Sequence, residues 1–290
     1  SSAFFIPMTW FIDAHEDIAW NIVTFQRDYT RSAFETRQLE ASTSIPAFNG
    51  DTMLGLPEYN QAEVRLVFST LFAGPARAGA QEPALAPVYH TVLEANHLYW
   101  NQLGIYHQLC DNHPQAFRLV LSRQQLQAHL QDWEENDDAQ KSHPVGLVPL
   151  MEGAEGILSC DELPQWWEAG LRIIGLAWSG NRYTGGTHAP GPLTAEGNDL
   201  LDAMAEIGFI LDLAHMDRKA AFQALERYPG RIITSHANAS RLVENYQGNR
   251  LLEDDLIQAM LERDVVIGVV PYNNFLKFGW KDSGGRERIS

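Results

Sequence analysis

The chain has 290 residues, of which 45% are hydrophobic and 20% are charged, a balance typical of a globular protein with a sizeable core. Its formal net charge is −16, from 21 basic and 37 acidic residues. This excess of acidic residues argues against binding nucleic acid or an anionic membrane surface, because both depend on cationic side chains.

The first predicted strand, residues 10–17, places Asp13, His15 and Asp17 on one face, because side chains two apart on a strand point the same way. A carboxylate and an imidazole at this spacing are suited to holding a metal ion. The same short pattern also occurs in solvated turns after buried strands, so the metal hypothesis depends on residues further along the chain.

Apolar runs and helical patterns alternate after this strand. Residues 20–60 look irregular and are predicted to form a long loop, either a lid or specificity region or a plain surface insertion. The later predicted strands are residues 64–72, 117–121, 145–153, 171–178, 209–213, 231–235 and 265–270, and the predicted helices are residues 88–110, 124–135, 194–208, 219–228 and 254–263.

This alternation is typical of βαβ units around a parallel sheet. We therefore predict an α/β fold, a (β/α)8 TIM-like barrel that forms a single domain over residues 1–290. A doubly wound open sheet is the alternative, but no glycine-rich phosphate turn follows the first strand.

Four predicted strands end in residues that bind metals, namely His15 and Asp17, Glu152, His215 and His236. Barrel strands deliver their C-terminal ends to one rim, so we expect these side chains to converge there. Three histidines and two carboxylates suit two zinc-like ions with one bridging carboxylate. Taken singly, each strand-end histidine has the alternative role of a satisfied core residue. As a set, the five residues predict a hydrolytic metal centre.

Seven stretches occur in an order known from one enzyme family. They are Asp13-Ala-His15-Glu-Asp17, Glu152-Gly153, Gly170-Leu-Arg-Ile-Ile, Gly191-Pro-Leu-Thr-Ala-Glu-Gly197, Asp212-Leu-Ala-His215, Ser235-His236-Ala-Asn238 and Arg250-Leu-Leu-Glu-Asp254. Together they resemble the renal (membrane) dipeptidase family of zinc peptidases, which have amidohydrolase-like barrels.

The resemblance implies a binuclear zinc dipeptidase with two Zn²⁺ ions. His15, Asp17 and Glu152 would hold one zinc, and Glu152 would bridge to a second zinc held by His215 and His236. A hydroxide bridging the metals would attack the peptide bond of a free dipeptide. Arg250 matches the arginine that binds the terminal carboxylate of the dipeptide, a task that suits a guanidinium fork.

Two departures from the family pattern stand out. Trp178 replaces a histidine that, in mammalian members, helps to hold the scissile carbonyl oxygen, so we expect Trp178 to affect substrate choice and rate. The family's closing strand, which carries a catalytic-site aspartate, is not found before Ser290. By resemblance, residues 117–121 lie outside the barrel, residues 265–270 form only its seventh strand, and the closing strand is expected to be missing from this chain.

Two alternative functions stay open at this point. One is a related barrel hydrolase acting on a cyclic amide or lactone, although Arg250 favours a free carboxylate. The other is a catalytically weak barrel that binds a ligand, which Trp178 and the missing aspartate support. Catalytic roles are predicted for Glu152, His215 and Trp178, and substrate contacts for Arg250 and Trp178.

The remaining expectations concern cysteines, partners and location. Cys110 and Cys160 form no metal or redox motif, and no apolar run reaches the roughly 20 residues that span a bilayer. The start of the chain lacks a signal peptide, which slightly favours a cytoplasmic location but leaves the compartment open. A homodimer is the expected assembly.

Overall fold

The computed structural model describes residues 10–77, 82–135 and 142–280. These residues fall into two compact units. The first unit comes from residues 1–88 and 100–149, and the second comes from residues 89–99 and 150–290. The prediction of a single catalytic domain stays a prediction.

The described residues form twelve strands and eleven α-helices. The strands are β1 (Phe11–Glu16), β2 (Val64–Leu71), β3 (Gly74–Pro75), β4 (Val88–Tyr89), β5 (Phe117–Leu119), β6 (Val145–Glu152), β7 (Ile173–Gly175), β8 (Thr184–Gly186), β9 (Ala189–Leu193), β10 (Ile210–Asp212), β11 (Ile232–Ala237) and β12 (Val266–Val269). The helices are α1 (Ile18–Phe25), α2 (Ala33–Glu40), α3 (Ile45–Asn49), α4 (Leu56–Gln61), α5 (Val92–Asn112), α6 (Arg123–Glu135), α7 (Leu163–Glu168), α8 (Ala195–Ile207), α9 (Arg218–Arg227), α10 (Asp254–Glu262) and α11 (Asn273–Leu276).

In the first unit, strands β1 and β2 pair in parallel, with Asp13 opposite Val67. Strand β2 is almost entirely buried and is followed in the sheet order by β6. Strand β5 pairs with the start of β6 but lies off the main strand order. Residues 117–121 were expected, by resemblance, to lie outside the barrel, and the position of β5 off the main strand order agrees with this expectation.

In the second unit, the last three residues of β6 pair in parallel with β7, and the parallel order continues through β10 and β11 to β12. Along this path β12 is the seventh strand, as expected from the sequence. The strand pairings given above for this path are all parallel. Helices lie between the strands along the chain. This is the arrangement of a TIM-like (β/α) barrel and confirms the predicted α/β class.

Helix α8 shows how local sequence signals set the ends of an element. The Thr194 side chain accepts a hydrogen bond from the backbone N–H of Gly197, and Gly208 ends the helix in the left-handed region at φ 102°. The buried side of the helix consists of Leu200, Leu201 and Met204 among others. The predicted start and end of this helix are correct.

The prediction of an irregular loop over residues 20–60 is wrong, because helices α1 to α4 fill much of this range. Helix α2 begins with a capping box in which Ser32 and Glu35 satisfy each other's backbone N–H groups. Its last residue, Glu40, forms a buried ion pair with Arg27. Such short helices are stabilised by caps and tertiary contacts, and they are too short to show a clear apolar period.

Three strand ends also differ from the prediction. Strand β7 ends at Gly175, so Trp178 lies beyond it, and β10 ends at Asp212, so His215 follows after a short connection. Strand β11 instead continues through His236. None of the helices formed by residues 10–77, 82–135 and 142–280 has the length and apolar character that crossing a membrane requires.

Candidate functional site

Three of the predicted metal ligands meet in the second unit. Glu152 is the last residue of β6, and its Oε1 lies 3.0 Å from Nε2 of His215 and 3.5 Å from Nε2 of His236. The two imidazole Nε2 atoms are 3.0 Å apart. All three side chains are 8–13% exposed, so the cluster is largely shielded from water.

The spacing of these three atoms fits a divalent cation. Zinc binds nitrogen and oxygen ligands at about 2.0–2.1 Å in a tetrahedral arrangement, which puts neighbouring ligand atoms about 3.3 Å apart. Two imidazoles and a carboxylate are also ligand types that zinc prefers. Glu152, His215 and His236 could therefore hold such an ion without large rearrangement.

Hydroxyl groups hold the other nitrogen of each imidazole. Nδ1 of His236 lies 2.9 Å from Oγ of Ser235, and Nδ1 of His215 lies 3.0 Å from Oγ1 of Thr187. Contacts of this kind orient metal-binding histidines and select their tautomer. His215 also has a left-handed backbone, at φ 65°, which is costly for a residue other than glycine and is common at functional sites.

The remaining two predicted ligands lie in the first unit, at the end of β1. Nε2 of His15 is 3.7 Å from Oδ1 of Asp17. The prediction placed Asp17 on the strand, and this is wrong: Asp17 follows β1 and is the N-cap residue of α1. Its Oδ1 accepts a hydrogen bond of 2.5 Å from the hydroxyl of Thr70 on the paired strand β2. The structure thus brings His15 and Asp17 together and fixes the carboxylate.

Arg250 is buried, and its guanidinium belongs to the same part of the second unit. Its Nη2 donates a hydrogen bond of 2.6 Å to the carbonyl oxygen of His236, and its Nε has no hydrogen-bond partner among the described residues. Burial lowers the pKa of Arg250 to about 10, although the negative charges of Glu152 and Asp212 counteract this shift. At neutral pH this is a buried cation with donor capacity left over.

A cavity of about 280 Å³ lies beside this arginine. Its lining includes Arg250, His215 and Asn249 together with the start of α9. The lining of this cavity therefore includes both Arg250 and a candidate metal ligand, inside one unit.

Trp178 stands near the histidine cluster. The centre of its indole ring is 6.3 Å from that of His215, and the two ring planes are inclined by 38°. The half-buried indole is thus next to a candidate metal ligand without stacking on it.

The sequence analysis assigned no role to several residues of this site. Thr70, Thr187, Ser235 and Asp212 support the candidate ligands through hydrogen bonds. A hydroxyl residue directly before His236 was visible in the sequence, but its contact with Asp212 joins two strands that are distant along the chain.

Glu155, three residues after Glu152, was also missed. Burial raises the pKa of Glu155 to about 7, with the negative charge of Glu152 adding to the shift. Its Oε2 has no hydrogen-bond partner among the described residues. A buried carboxyl group that titrates near neutral pH makes the protein's stability depend on pH.

Fold and site together define a TIM-like barrel of the metal-dependent hydrolase type. Over residues 6–288 the chain matches the family described as membrane dipeptidase, peptidase family M19, and it belongs to that family. The resemblance seen in the sequence is thereby confirmed, and so is the predicted class of enzyme, a metallopeptidase.

The chain is also similar to individual proteins of known sequence or structure. An uncharacterized protein from the pqqA 5′ region of Klebsiella pneumoniae is 28% identical over 197 residues, which are 64% of this chain and 68% of that protein. The crystal structure of the probable dipeptidase PvdM from Pseudomonas aeruginosa superposes with a TM-score of 0.70 at 18% identity, covering 93% of this chain and 62% of that one.

A metallopeptidase from Rhodobacter sphaeroides, solved with a phosphinate mimic of the dipeptide L-Ala-D-Ala, also has a TM-score of 0.70 at 18% identity, covering 95% of this chain and 80% of that one. At this identity the two solved structures establish the shared fold. The chain spans 68%, 62% and 80% of the lengths of these three relatives, respectively.

Proposed function

We propose that this protein is a binuclear metal-dependent dipeptidase whose ions are zinc. The main support is the buried convergence of Glu152, His215 and His236, whose ligand atoms lie 3.0–3.5 Å apart. Three such groups in one shielded place are costly unless a cation neutralises and organises them. Membership of a metallopeptidase family supports the same conclusion.

In this proposal, Glu152, His215 and His236 would hold one ion, and His15 and Asp17 would contribute to holding the other. When bound, the two ions would activate water and polarise the carbonyl of the scissile peptide bond. The protein itself positions the ligands: Thr70 fixes the carboxylate of Asp17, and hydroxyl groups fix the two imidazoles of the second unit.

The proposed substrate is a free dipeptide, bound through its terminal carboxylate by Arg250. A buried guanidinium with unused donor capacity is suited to a carboxylate that arrives with the substrate. The Rhodobacter sphaeroides relative was crystallised with a dipeptide mimic, which makes a dipeptide the natural first substrate to test. Trp178, which lies beside His215, is proposed to line the substrate site and to set rate and specificity.

The test combines metal content with turnover. Wild-type protein purified in the presence of zinc should contain about two ions per chain and hydrolyse a free dipeptide such as Ala-Ala. His215→Ala removes one of three ligands and should lose one ion and most of the activity. His97→Ala, which changes an exposed histidine on α5, is the control and should match wild type.

Two results would contradict the proposal. Wild-type protein that holds no transition metal after metal-replete purification would remove its basis. Wild-type protein that holds two ions but turns over no dipeptide would instead support a ligand-binding barrel.

A further inference from the structure

We propose that Asp212 and Ser235 act as a positioning relay that fixes the tautomer of His236, so that Nε2 carries the lone pair that binds the metal. This inference deepens the proposed function and rests on the metal centre described above. Both residues are buried, with 2% and 3% of their surfaces exposed.

The first step concerns the single proton of the Ser235 hydroxyl. Oγ of Ser235 lies 2.5 Å from Oδ2 of Asp212 and 2.9 Å from Nδ1 of His236. A hydroxyl group donates one hydrogen bond, whereas a carboxylate only accepts. The proton of Ser235 is therefore directed to Asp212, and Oγ is left to accept a hydrogen bond from the imidazole.

The second step concerns the carboxylate of Asp212. Its Oδ1 accepts hydrogen bonds from the backbone N–H groups of Ala214, at 3.0 Å, and Ser235, at 2.9 Å. These two donors stabilise the ionised carboxylate and fix its orientation between β10 and β11. These hydrogen bonds favour the ionised form of the acceptor at the far end of the relay and hold it in place.

The third step follows for the imidazole. Because Oγ of Ser235 accepts, Nδ1 of His236 carries the proton and Nε2 is unprotonated. Nε2 is also the atom that lies 3.5 Å from Glu152 and 3.0 Å from Nε2 of His215. The relay thus leaves Nε2 of His236 unprotonated, facing the other ligands, before a metal binds. The negative charge of Asp212 makes this nitrogen a stronger metal ligand.

The second histidine has a different support, the hydroxyl of Thr187. Oγ1 of Thr187 lies 3.0 Å from Nδ1 of His215 and 3.5 Å from the carbonyl oxygen of the same residue. Among the described residues this hydroxyl donates to the carbonyl oxygen of His215 and forms no hydrogen bond with a carboxylate, so its support of the imidazole is uncharged. The chain therefore offers a matched comparison between an anionic and a neutral support.

The tautomer can be measured directly in the metal-free protein. With ¹⁵N-labelled histidine, long-range ¹⁵N–¹H correlation spectra distinguish Nδ1–H from Nε2–H, and His236→Gln identifies the signal. At a pH where the imidazole is neutral, we expect His236 to be the Nδ1–H tautomer in wild type. An Nε2–H tautomer in wild type would overturn the inference.

Variants test the two supports. Asp212→Asn turns the Oδ2 acceptor into an amide donor, so Ser235 must donate to His236, and the tautomer should reverse to Nε2–H. Ser235→Ala should weaken Co²⁺ binding about 10–100-fold, and Ser235→Thr, which keeps the hydroxyl, should restore most of the affinity. Thr187→Val should cause a smaller loss than Ser235→Ala.

Unchanged Co²⁺ affinity in Ser235→Ala, in a variant that unfolds like wild type, would contradict the relay. These readouts do not use peptide hydrolysis. A wild-type protein that shows the Nδ1–H tautomer and binds Co²⁺ yet cleaves no dipeptide would refute the proposed activity and leave the relay standing.

Discussion

Among single residues, Arg250 combines burial with an incomplete set of hydrogen bonds among the described residues. Its guanidinium contacts the carbonyl oxygen of His236 and lies 5.3 Å from the ring centre of Phe275. A buried cation whose donors are only partly satisfied costs free energy, and binding a substrate carboxylate would offset that cost. Because this cost arises close to the candidate metal ligands, we propose that Arg250 binds the substrate.

Removing this cation should affect substrates according to their own charge. Losing a charged hydrogen-bond pair in a buried site costs roughly 2–5 kcal/mol. Arg250→Ala should therefore lower kcat/KM for a free dipeptide by about 30-fold or more. The corresponding dipeptide amide lacks the carboxylate, so it should be a poor substrate for wild type and nearly insensitive to the substitution.

Kinetics with both substrates on both proteins decide the role of Arg250. Arg241→Ala is the matched control, because Arg241 is 77% exposed and pairs with Asp254 at the surface. If the amide loses as much activity as the free dipeptide, Arg250 acts through its contact with the His236 carbonyl and not through the substrate.

At the scale of elements, two helical glycines differ in the space available for a side chain. Gly104 lies inside α5, and a Cβ atom added there would meet nothing within 4 Å. Gly197 lies in the first turn of α8, where an added Cβ would overlap the carbonyl oxygen of Tyr183. Helix propensity favours alanine at both positions, but packing permits it at only one.

We expect Gly104→Ala to raise the free energy of unfolding by about 0.5–1 kcal/mol, since alanine restricts the unfolded chain and suits a helix interior. Gly197→Ala should lower it by about 1–3 kcal/mol, because the backbone of α8 must move away from Tyr183. Urea denaturation of the two variants and wild type measures both changes. A stabilising Gly197→Ala would show that the close approach to Tyr183 is not maintained in solution.

For the whole molecule, Glu155 links stability to pH. Burial raises the pKa of Glu155 to about 7 from an ordinary value of 4.5, so between these pH values the folded protein binds more protons at this residue than the unfolded chain. The contribution of this carboxyl is therefore fully present below about pH 4.5 and is lost as the pH rises through 7.

Glu155→Gln should remove this dependence, since the amide is neutral at every pH. Relative to wild type, the variant should gain up to about 3 kcal/mol in unfolding free energy between pH 4.5 and pH 7.5, at about 1.4 kcal/mol per unit of pKa shift. Denaturant titrations of both proteins across this range measure the difference. A constant difference between the two proteins would mean that Glu155 is ionised in the fold at acidic pH.

Other properties of the whole molecule stay predictions. The homodimer, the cytoplasmic location and the single domain over residues 1–290 were expected from the sequence, and the structure of one chain tests none of them. In the part of the chain that the structure describes, Cys110 and Cys160 are free cysteines.

The sequence by itself determined the alternation of strands and helices, the ends of α8 and the residue types that bind metal. It could do so because apolar periodicity, caps and the order of motifs are local properties of the chain. The same local view failed over residues 20–60, where short helices depend on capping contacts and on the buried ion pair of Arg27 with Glu40.

Only the tertiary structure decided how the site is supported. The hydrogen bonds from Thr70 to Asp17, from Ser235 to Asp212 and between Thr187 and His215 join residues 53, 23 and 28 positions apart. The burial that leaves Arg250 with unused donors and raises the pKa of Glu155 likewise arises from packing between distant segments. Sequence spacing names the candidate ligands, but the partners that orient them and the dielectric around them exist only once the strands have been placed side by side.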